Sequence, residues 1–306
     1  MYKRQVTSSV FSLISGATIN GGDESAFRAL LTNEENGQVS ITDQNLIVDS
    51  GEVSIDTAND LDATTQGIVT ADIDINATVD SLATLEGTGN AYTIKIADSD
   101  ATGSTAEELL AIDAATTVTV DASAITSIEG TFEKITALYG SSGISDLGDE
   151  NITIEGDLTV EQANIIDDLT EGTVSGTISA NERVSSLTGL TGNNAYQITI
   201  SEEDAITTSD ELITINSKTT VGVNLTNVIA FSSSISDLDS FANAIGEGDF
   251  INAEGSVSIA LTDSTLSVVD LNFAIDTANS LNGDVTSSVF SLISGCLLYT
   301  SDAADE

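Results

Sequence analysis

The chain has no proline, no histidine and no tryptophan, and one cysteine in 306 residues. Without histidine there is no Ser-His-Asp or Cys-His catalytic arrangement and no imidazole ligand for a metal. One cysteine closes no intrachain disulfide and builds no thiolate cluster. Lys and Arg number 7 against 49 Asp and Glu, a formal net charge of −42. That balance argues against binding nucleic-acid phosphates, which needs clustered cations. It also argues against electrostatic attachment to anionic lipid. It favours self-repulsion and association with divalent cations. No apolar run approaches the ~20 residues of a membrane span.

What is present is a diverged repeat. Residues 54–73, 159–178 and 274–293 share an Ala-Asn pair (Ala58-Asn59, Ala163-Asn164, Ala278-Asn279), then a Gly, then a Val/Thr/Ser-rich run. The pairs lie 105 and 115 residues apart. Self-similarity on that scale marks a modular array rather than one globular enzyme domain. A second recurrence runs from Leu85-Glu86-Gly87-Thr88-Gly89-Asn90-Ala91-Tyr92 to Leu190-Thr191-Gly192-Asn193-Asn194-Ala195-Tyr196. Hydrophobic residues make up 40% and aromatics only 4%. β-branched residues set between Gly, Asn and Asp favour strands and turns.

Both ends resemble something other than natural protein. Residues 1–5 (MYKRQ) resemble the translated end of a transposase-type sequencing adapter, and residues 296–306 (CLLYTSDAADE) resemble the same adapter read from the other side. Such scars are set aside in fold reasoning. Cys296 goes with them, and the natural cations reduce to Arg28, Lys95, Lys134, Arg183 and Lys218. Residues 6–295 are then expected to be an internal piece of a longer protein. Residues 6–16, VTSSVFSLISG, are identical to residues 285–295. The expected organisation is a partial repeat over 6–45, super-repeats over 46–151 and 152–265, and a partial third over 266–295.

Alternation predicts strands at 46–49, 68–73, 92–96, 117–121, 152–155, 174–178, 196–200, 220–223, 266–269 and 287–293. Extra strands are expected at 38–42 and 256–261. Helices are expected over 105–114, 131–139, 160–169 and 209–215, the third opened by a Thr159–Gln162 capping box. Strand, helix, strand at about 21 to 25 residues resembles the beat of leucine-rich solenoids, without their consensus. A unit of that kind cannot bury its apolar face alone, so stacking in a coil is the natural solution. The expected fold is a β-rich α/β repeat, an elongated solenoid with a parallel sheet and short helices. Tandem β-sandwich domains are the alternative.

The paired motifs, with Thr116-Thr117-Val118-Thr119-Val120 and Thr219-Thr220-Val221-Gly222-Val223, resemble the repeat region of very large marine bacterial surface proteins of the picocyanobacterial type. The resemblance implies secretion, a surface or filamentous role, and often neighbouring calcium-binding repeats. The diagnostic nonapeptide G-G-x-G-x-D is absent.

The candidate metal ligands are Asp98 and Asp100, in Asp98-x-Asp100-x-x-Gly103, which could open a calcium loop. A full loop of the EF-hand type needs a bidentate Glu where Leu109 stands. Asp72-x-Asp74-x-Asn76 reads better as an exposed strand face, and Asp167-Asp168 and Glu202-Glu203-Asp204 as polar surface. Tyr92 and Tyr196 read as packing residues. Scattered cations, few aromatics and no histidine leave no catalytic residues to name. A regular Thr-x-Thr ladder, as ice binding needs, is missing. The expected function is that of a non-catalytic structural or adhesive spacer at the cell surface or outside the cell. Calcium is its only candidate cofactor, and its partner an unidentified surface glycan or cell-envelope component. The alternatives are a calcium-dependent glycan-binding module and a carbohydrate-active, phage-fibre-like solenoid.

Overall fold

Short strands with an alternating burial pattern and helices buried along one stripe repeat through the chain. The computed structural model describes residues 11–97, 103–252, 257–281 and 285–287. They form an α/β protein of parallel sheets and short helices, with no closed barrel among the described residues. Two compact units divide the chain, one of 1–153 with Thr170–Gly172, the other of Ile154–Leu169 with 173–306.

The first unit runs β1 (Phe11–Ser12), β2 (Thr18–Asn20), α1 (Glu24–Glu35), β3 (Val39–Ser40), β4 (Asn45–Val53), α2 (Ile55–Thr64), β5 (Val69–Ile73), α3 (Val79–Leu82) and β6 (Ala91–Thr93). It continues through β7 (Ser104–Thr105), α4 (Ala106–Ala115), β8 (Val120–Asp121), β9 (Ser127–Thr131), α5 (Phe132–Tyr139) and β10 (Ile144–Ser145). Its strands pair in parallel with the next strand of their sheet: Thr18 with Asn45, Leu46 with Val69, Thr70 with Ala91. Ser104 pairs with Ile128 and Val120 with Ile144.

The chain leaves the first unit within β11 (Asn151–Leu158). The second unit holds α6 (Val160–Asp167), β12 (Val174–Ile178), α7 (Val184–Leu187), β13 (Ala195–Gln197), β14 (Ile206–Thr208), α8 (Ser209–Asn216) and β15 (Val223–Asn224). Then come β16 (Ala230–Ser233), α9 (Ile235–Glu247), β17 (Phe250–Ile251), β18 (Ser258–Leu261), α10 (Val268–Ser280) and β19 (Val285–Ser287). Here too the pairs are parallel: Ser175 with Ala195, Ile206 with Ala230, Ala230 with Ser258, Ile259 with Val285. A Greek-key sandwich is built on antiparallel pairs, so the tandem-sandwich alternative does not describe these strands.

The core lies between strands and helices. Leu46 and Val69 face inward in register, as do Ala71 and Tyr92, and Phe231 and Ile259, each buried. From the helices come Ala106, Leu109, Ile112 and Ala115 of α4, Val160, Ala163 and Ile166 of α6, and Ser209, Leu212 and Ile215 of α8. Steps of three place each set on one helix face. Burial of each large aliphatic side chain stabilises by roughly 1.5–3 kcal/mol. Phe231, Phe241 and Phe250 stack with ring centroids 4.6 and 4.8 Å apart.

The expected helices at 105–114, 131–139, 160–169 and 209–215 correspond to α4, α5, α6 and α8. The Thr159–Gln162 box is present, and Thr105–Glu108 and Thr208–Glu211 repeat it. The expected strand at 266–269 is instead the start of α10, because Ser267 and Asp270 form a further capping box there. Helices α1, α2, α3, α7 and α9 are additions that the sequence reading did not contain. The expected strand at 287–293 lies outside the described residues except for Ser287.

Candidate functional site

The repeated residues act as clips from one strand–helix segment to the next. Asn59 on α2 donates from Nδ2 to the Thr84 carbonyl (3.0 Å) and accepts at Oδ1 from the Glu86 amide (2.9 Å). Asn164 on α6 does the same with the Gly189 carbonyl and the Thr191 amide, both at 2.9 Å. The neighbouring alanines, Ala58 and Ala163, are fully buried, and their carbonyls accept from the Tyr92 and Tyr196 hydroxyls at 3.3 Å. The Ala-Asn pair thus holds two coils with one small residue and one amide.

A second clip lies at the other end of the same helices. Asn90 accepts at Oδ1 from the Val69 amide (3.0 Å) and donates to Asp62 (2.7 Å). Asn194 accepts from the Val174 amide (2.9 Å) and donates to Asp167 (2.6 Å). A glycine at +66°, Gly192, brings the chain against this carboxylate; a Cβ there would sit 2.5 Å from Asp167 Oδ1. Hydroxyls make a third set: Thr65, Thr116, Thr170 and Thr219 donate to the carbonyls of Gln44, Tyr92, Glu150 and Tyr196 at 2.6–2.7 Å. The Asn and Tyr recurrences were visible in the sequence; the threonines were hidden among many others.

Carboxylates cap helices across coils. Asp204 accepts from the Val184 amide (2.8 Å) at the start of α7, whose own cap position, Arg183, offers no side-chain bond. Glu182 accepts from Val160 N at the start of α6 (3.3 Å), and Asp263 from Ile235 N at the start of α9 (2.9 Å). Each satisfies an orphan amide and suits the positive end of the helix dipole. Glu202-Glu203-Asp204 therefore does more than line the surface: Arg183 also pairs with Glu203 (2.5 Å) and Asp204 (3.1 Å). Likewise Asp167 is a clip residue. Asp72 is exposed on β5, and Asp74 closes a local turn by accepting from the Asn76 amide (2.9 Å).

Among the described residues one carboxylate is fully buried. Glu150 accepts from the Tyr139 hydroxyl (2.5 Å) and from the Gly148 amide (2.9 Å to each oxygen). Nothing in the sequence separated it from the other acidic residues. Burial, then the bond to Glu150, pushes the Tyr139 phenol above its ordinary range. Burial, then the nearby carboxylates Asp62 and Asp167, does the same for Tyr92 and Tyr196. The phenols stay protonated donors. The carboxylates whose pKa moves, among them Glu24, Glu108 and Asp121, move down through donated hydrogen bonds.

A groove of about 640 Å³ lies beside α6 and α7 and is lined by Thr159, Val160, Glu161, Asn164, Ile165, Asp168, Glu182 and Ser186. Asp98 and Asp100 lie outside the described residues. Among the described residues no group of three or more Asp, Glu, His or Cys could hold a metal ion. No described helix is long and apolar enough to cross a membrane. Arg28, Lys95, Lys134 and Arg183 each pair with a carboxylate at the surface, so these cations form no basic patch. Comparison with family models, curated proteins and solved structures finds no match.

Two predictions follow from the clips. Asn164→Ala removes three bonds of that side chain, to the Gly189 carbonyl and from the Thr191 amide and hydroxyl, and is expected to cost about 1–2 kcal/mol in urea unfolding. Glu161→Ala, one turn earlier and exposed, should stay within about 0.5 kcal/mol. Equal effects would mean that Asn164 is not a clip.

The other concerns Glu24, whose Oε1 accepts from Ser54 (2.6 Å), Thr57 (2.5 Å) and Arg28 (3.2 Å). Those donors, Ser54 first, hold its carboxyl below the ordinary glutamate range. The unfolded chain binds this proton more readily, so the contribution is whole above pH ~4.5 and is lost as pH falls through the folded value. Glu24→Gln should cost about 1 kcal/mol at pH 7, discounted for partial exposure. The gap to the parent should narrow as pH falls through the lowered folded value. A pH-independent gap would refute the linkage.

Proposed function

We propose that this chain is a non-catalytic spacer segment of a large secreted or cell-surface protein, and that its coils continue as an elongated solenoid. The observation that carries the reading is the clip pattern. The side-chain bonds at Asn59, Asn90, Asn164 and Asn194 reach only 20 to 28 residues along the chain, one coil onward or back. A protein held by nearest-neighbour interfaces extends as repeats are added, without needing a new core. A charge of −42 keeps such a rod soluble and resists its collapse. The role is mechanical: to project a binding module toward a surface glycan or envelope component.

Small-angle scattering tests the shape. A compact globule of this length has a radius of gyration of about 19 Å; the solenoid should give a clearly larger value with a rod-like profile. A value near the globular one overturns the spacer. Incubation with acidic and neutral polysaccharides tests the catalytic alternative, since release of reducing ends cannot come from a spacer. Calcium acts in this reading by screening. About 1 mM CaCl2 should raise Tm no more than NaCl of equal ionic strength. A larger rise would assign a specific site, with Asp98 and Asp100 the first residues to replace.

A further inference from the structure

Three Asn-x-Thr triplets stand in the chain: Asn76-Ala77-Thr78, Asn151-Ile152-Thr153 and Asn224-Leu225-Thr226. Such a triplet is the acceptor for an N-linked glycan, the amide nitrogen taking the sugar, and it works from surface loops. In a chain so rich in Asn and Thr the triplet alone selects nothing. The fold does select, because a transferase must reach the amide from solvent and bend the segment around it.

Two of the triplets are held in ladders. Asn224 is half-buried on β15; its backbone amide donates to the Ile198 carbonyl (2.8 Å) and its carbonyl accepts from Ile200 (3.1 Å). Its Oδ1 accepts from the Thr226 amide (3.0 Å) and hydroxyl (2.7 Å). Asn151 opens β11, its amide donating to the Thr126 carbonyl (3.0 Å). It follows the buried Glu150, and a Cβ on Gly172 would stand 2.9 Å from its nitrogen. Bending either segment breaks backbone bonds that have no other partner at hand.

Asn76 differs. It lies exposed in the turn between β5 and α3. Its backbone amide and Nδ2 both donate to Asp74 Oδ1, at 2.9 and 3.0 Å. The Ala77 amide donates to the Asp74 carbonyl (2.9 Å), and the exposed Thr78 caps α3 by accepting from the Ser81 amide (3.2 Å). These bonds all stay between Asp74 and Ser81, so the turn opens without parting strands. Helix α3 is a single turn, which holds its cap weakly. The Asp74 carboxylate takes one hydrogen of the acceptor amide, which favours attack by a nitrogen whose lone pair is otherwise spread into its carbonyl.

We propose that Asn76 is an acceptor for an N-linked glycan. In the transfer, Nδ2 bonds to the anomeric carbon of an oligosaccharide carried on a polyprenyl diphosphate. The bond from that carbon to the diphosphate oxygen breaks, the diphosphate leaves with the electron pair, and the Nδ2 proton passes to a base of the transferase. Nothing is oxidised or reduced. The inference rests on this turn alone and stands whether or not the chain serves as a surface spacer.

Intact-mass spectrometry tests it on the folded full chain, incubated with a single-subunit bacterial oligosaccharyltransferase and a polyprenyl-diphosphate oligosaccharide. The parent should gain the mass of one glycan. Asn76→Gln should gain none and, at an exposed position, should keep the parent Tm. Asn151→Gln and Asn224→Gln should be modified as the parent is. Thr78→Val should lose the modification and Thr78→Ser should keep it, which separates the hydroxyl the enzyme reads from side-chain bulk. A folded chain that stays unmodified while a standard acceptor peptide is converted overturns the proposal. So does a glycan that survives Asn76→Gln.

Discussion

Tyr196→Ala is expected to cost about 3–5 kcal/mol, among the largest losses available to one substitution in this chain. The ring is fully buried, and its hydroxyl donates to the Ala163 carbonyl at 3.3 Å and lies 3.4 Å from Asn194 Nδ2. Truncation leaves a ring-sized cavity between a strand and a helix that other clips hold apart, so the site cannot close over it. Tyr196→Phe keeps the volume and should cost about 1 kcal/mol, the value of one neutral hydrogen bond. The difference isolates packing from the hydroxyl. Tyr92 has the same surroundings in the first unit, with its hydroxyl 3.3 Å from the Ala58 carbonyl. Tyr92→Ala should therefore lose a similar amount. If the chain is the nearest-neighbour array proposed above, the damage is local. Hydrogen exchange should rise in α6 and β13 for the Tyr196 variant and leave α2 at parent rates. A loss under about 1.5 kcal/mol would show that the cavity refills and that the tyrosine is not an anchor.

The sequence carried the repeat but not its reason. Ala58-Asn59 and Ala163-Asn164 stood out as a recurrence, and Tyr92 and Tyr196 as another; only the coordinates show that one pair of residues receives the other. Helices α4, α5, α6 and α8 were legible because each opens on a hydroxyl and most carry Glu or Gln three residues on. Helix α2 was not, since IDTANDLDAT is poor in strong helix formers and rich in Asp, Asn and Thr, which favour turns. It is helical because Ser54 caps it and Ala58 and Leu61 are buried against the sheet. The strand expected at 266–269 failed for a related reason: β-branched Val268 and Val269 read as strand, but the Ser267–Asp270 box outweighs their propensity. The inter-coil carboxylates Glu182, Asp204 and Asp263 were invisible, because acidic residues are everywhere and only register selects the ones that meet a helix start.

Register also decides the second large effect. Gly172→Ala is expected to cost at least about 3 kcal/mol, more than the usual price of overpacking. A Cβ at Gly172 would stand 2.2 Å from the Glu150 carbonyl oxygen, 2.5 Å from its carbon and 2.9 Å from the Asn151 nitrogen. All three are backbone atoms at the start of a strand, so no side chain can swing aside. The backbone itself must separate. That would pull the Thr170 hydroxyl from the Glu150 carbonyl (2.6 Å) and disturb the buried Glu150 carboxylate with its Tyr139 and Gly148 donors. Gly67 meets the Gln44 carbonyl at the same 2.2 Å, and Thr65 donates to that carbonyl at 2.6 Å, so Gly67→Ala should behave alike. Gly156 is the control. Its φ is +89° but nothing lies within 4 Å of its would-be Cβ, so Gly156→Ala meets only backbone strain, about 1–2 kcal/mol. Steric and conformational costs are thus separated by one substitution at different sites. Urea midpoints ordered with Gly172→Ala and Gly67→Ala well below Gly156→Ala would place the closest coil-to-coil approach at these glycines. The reverse order would mean that the coils have slack at that edge, and that the threonine hydroxyls, not close approach of the backbones, set their spacing.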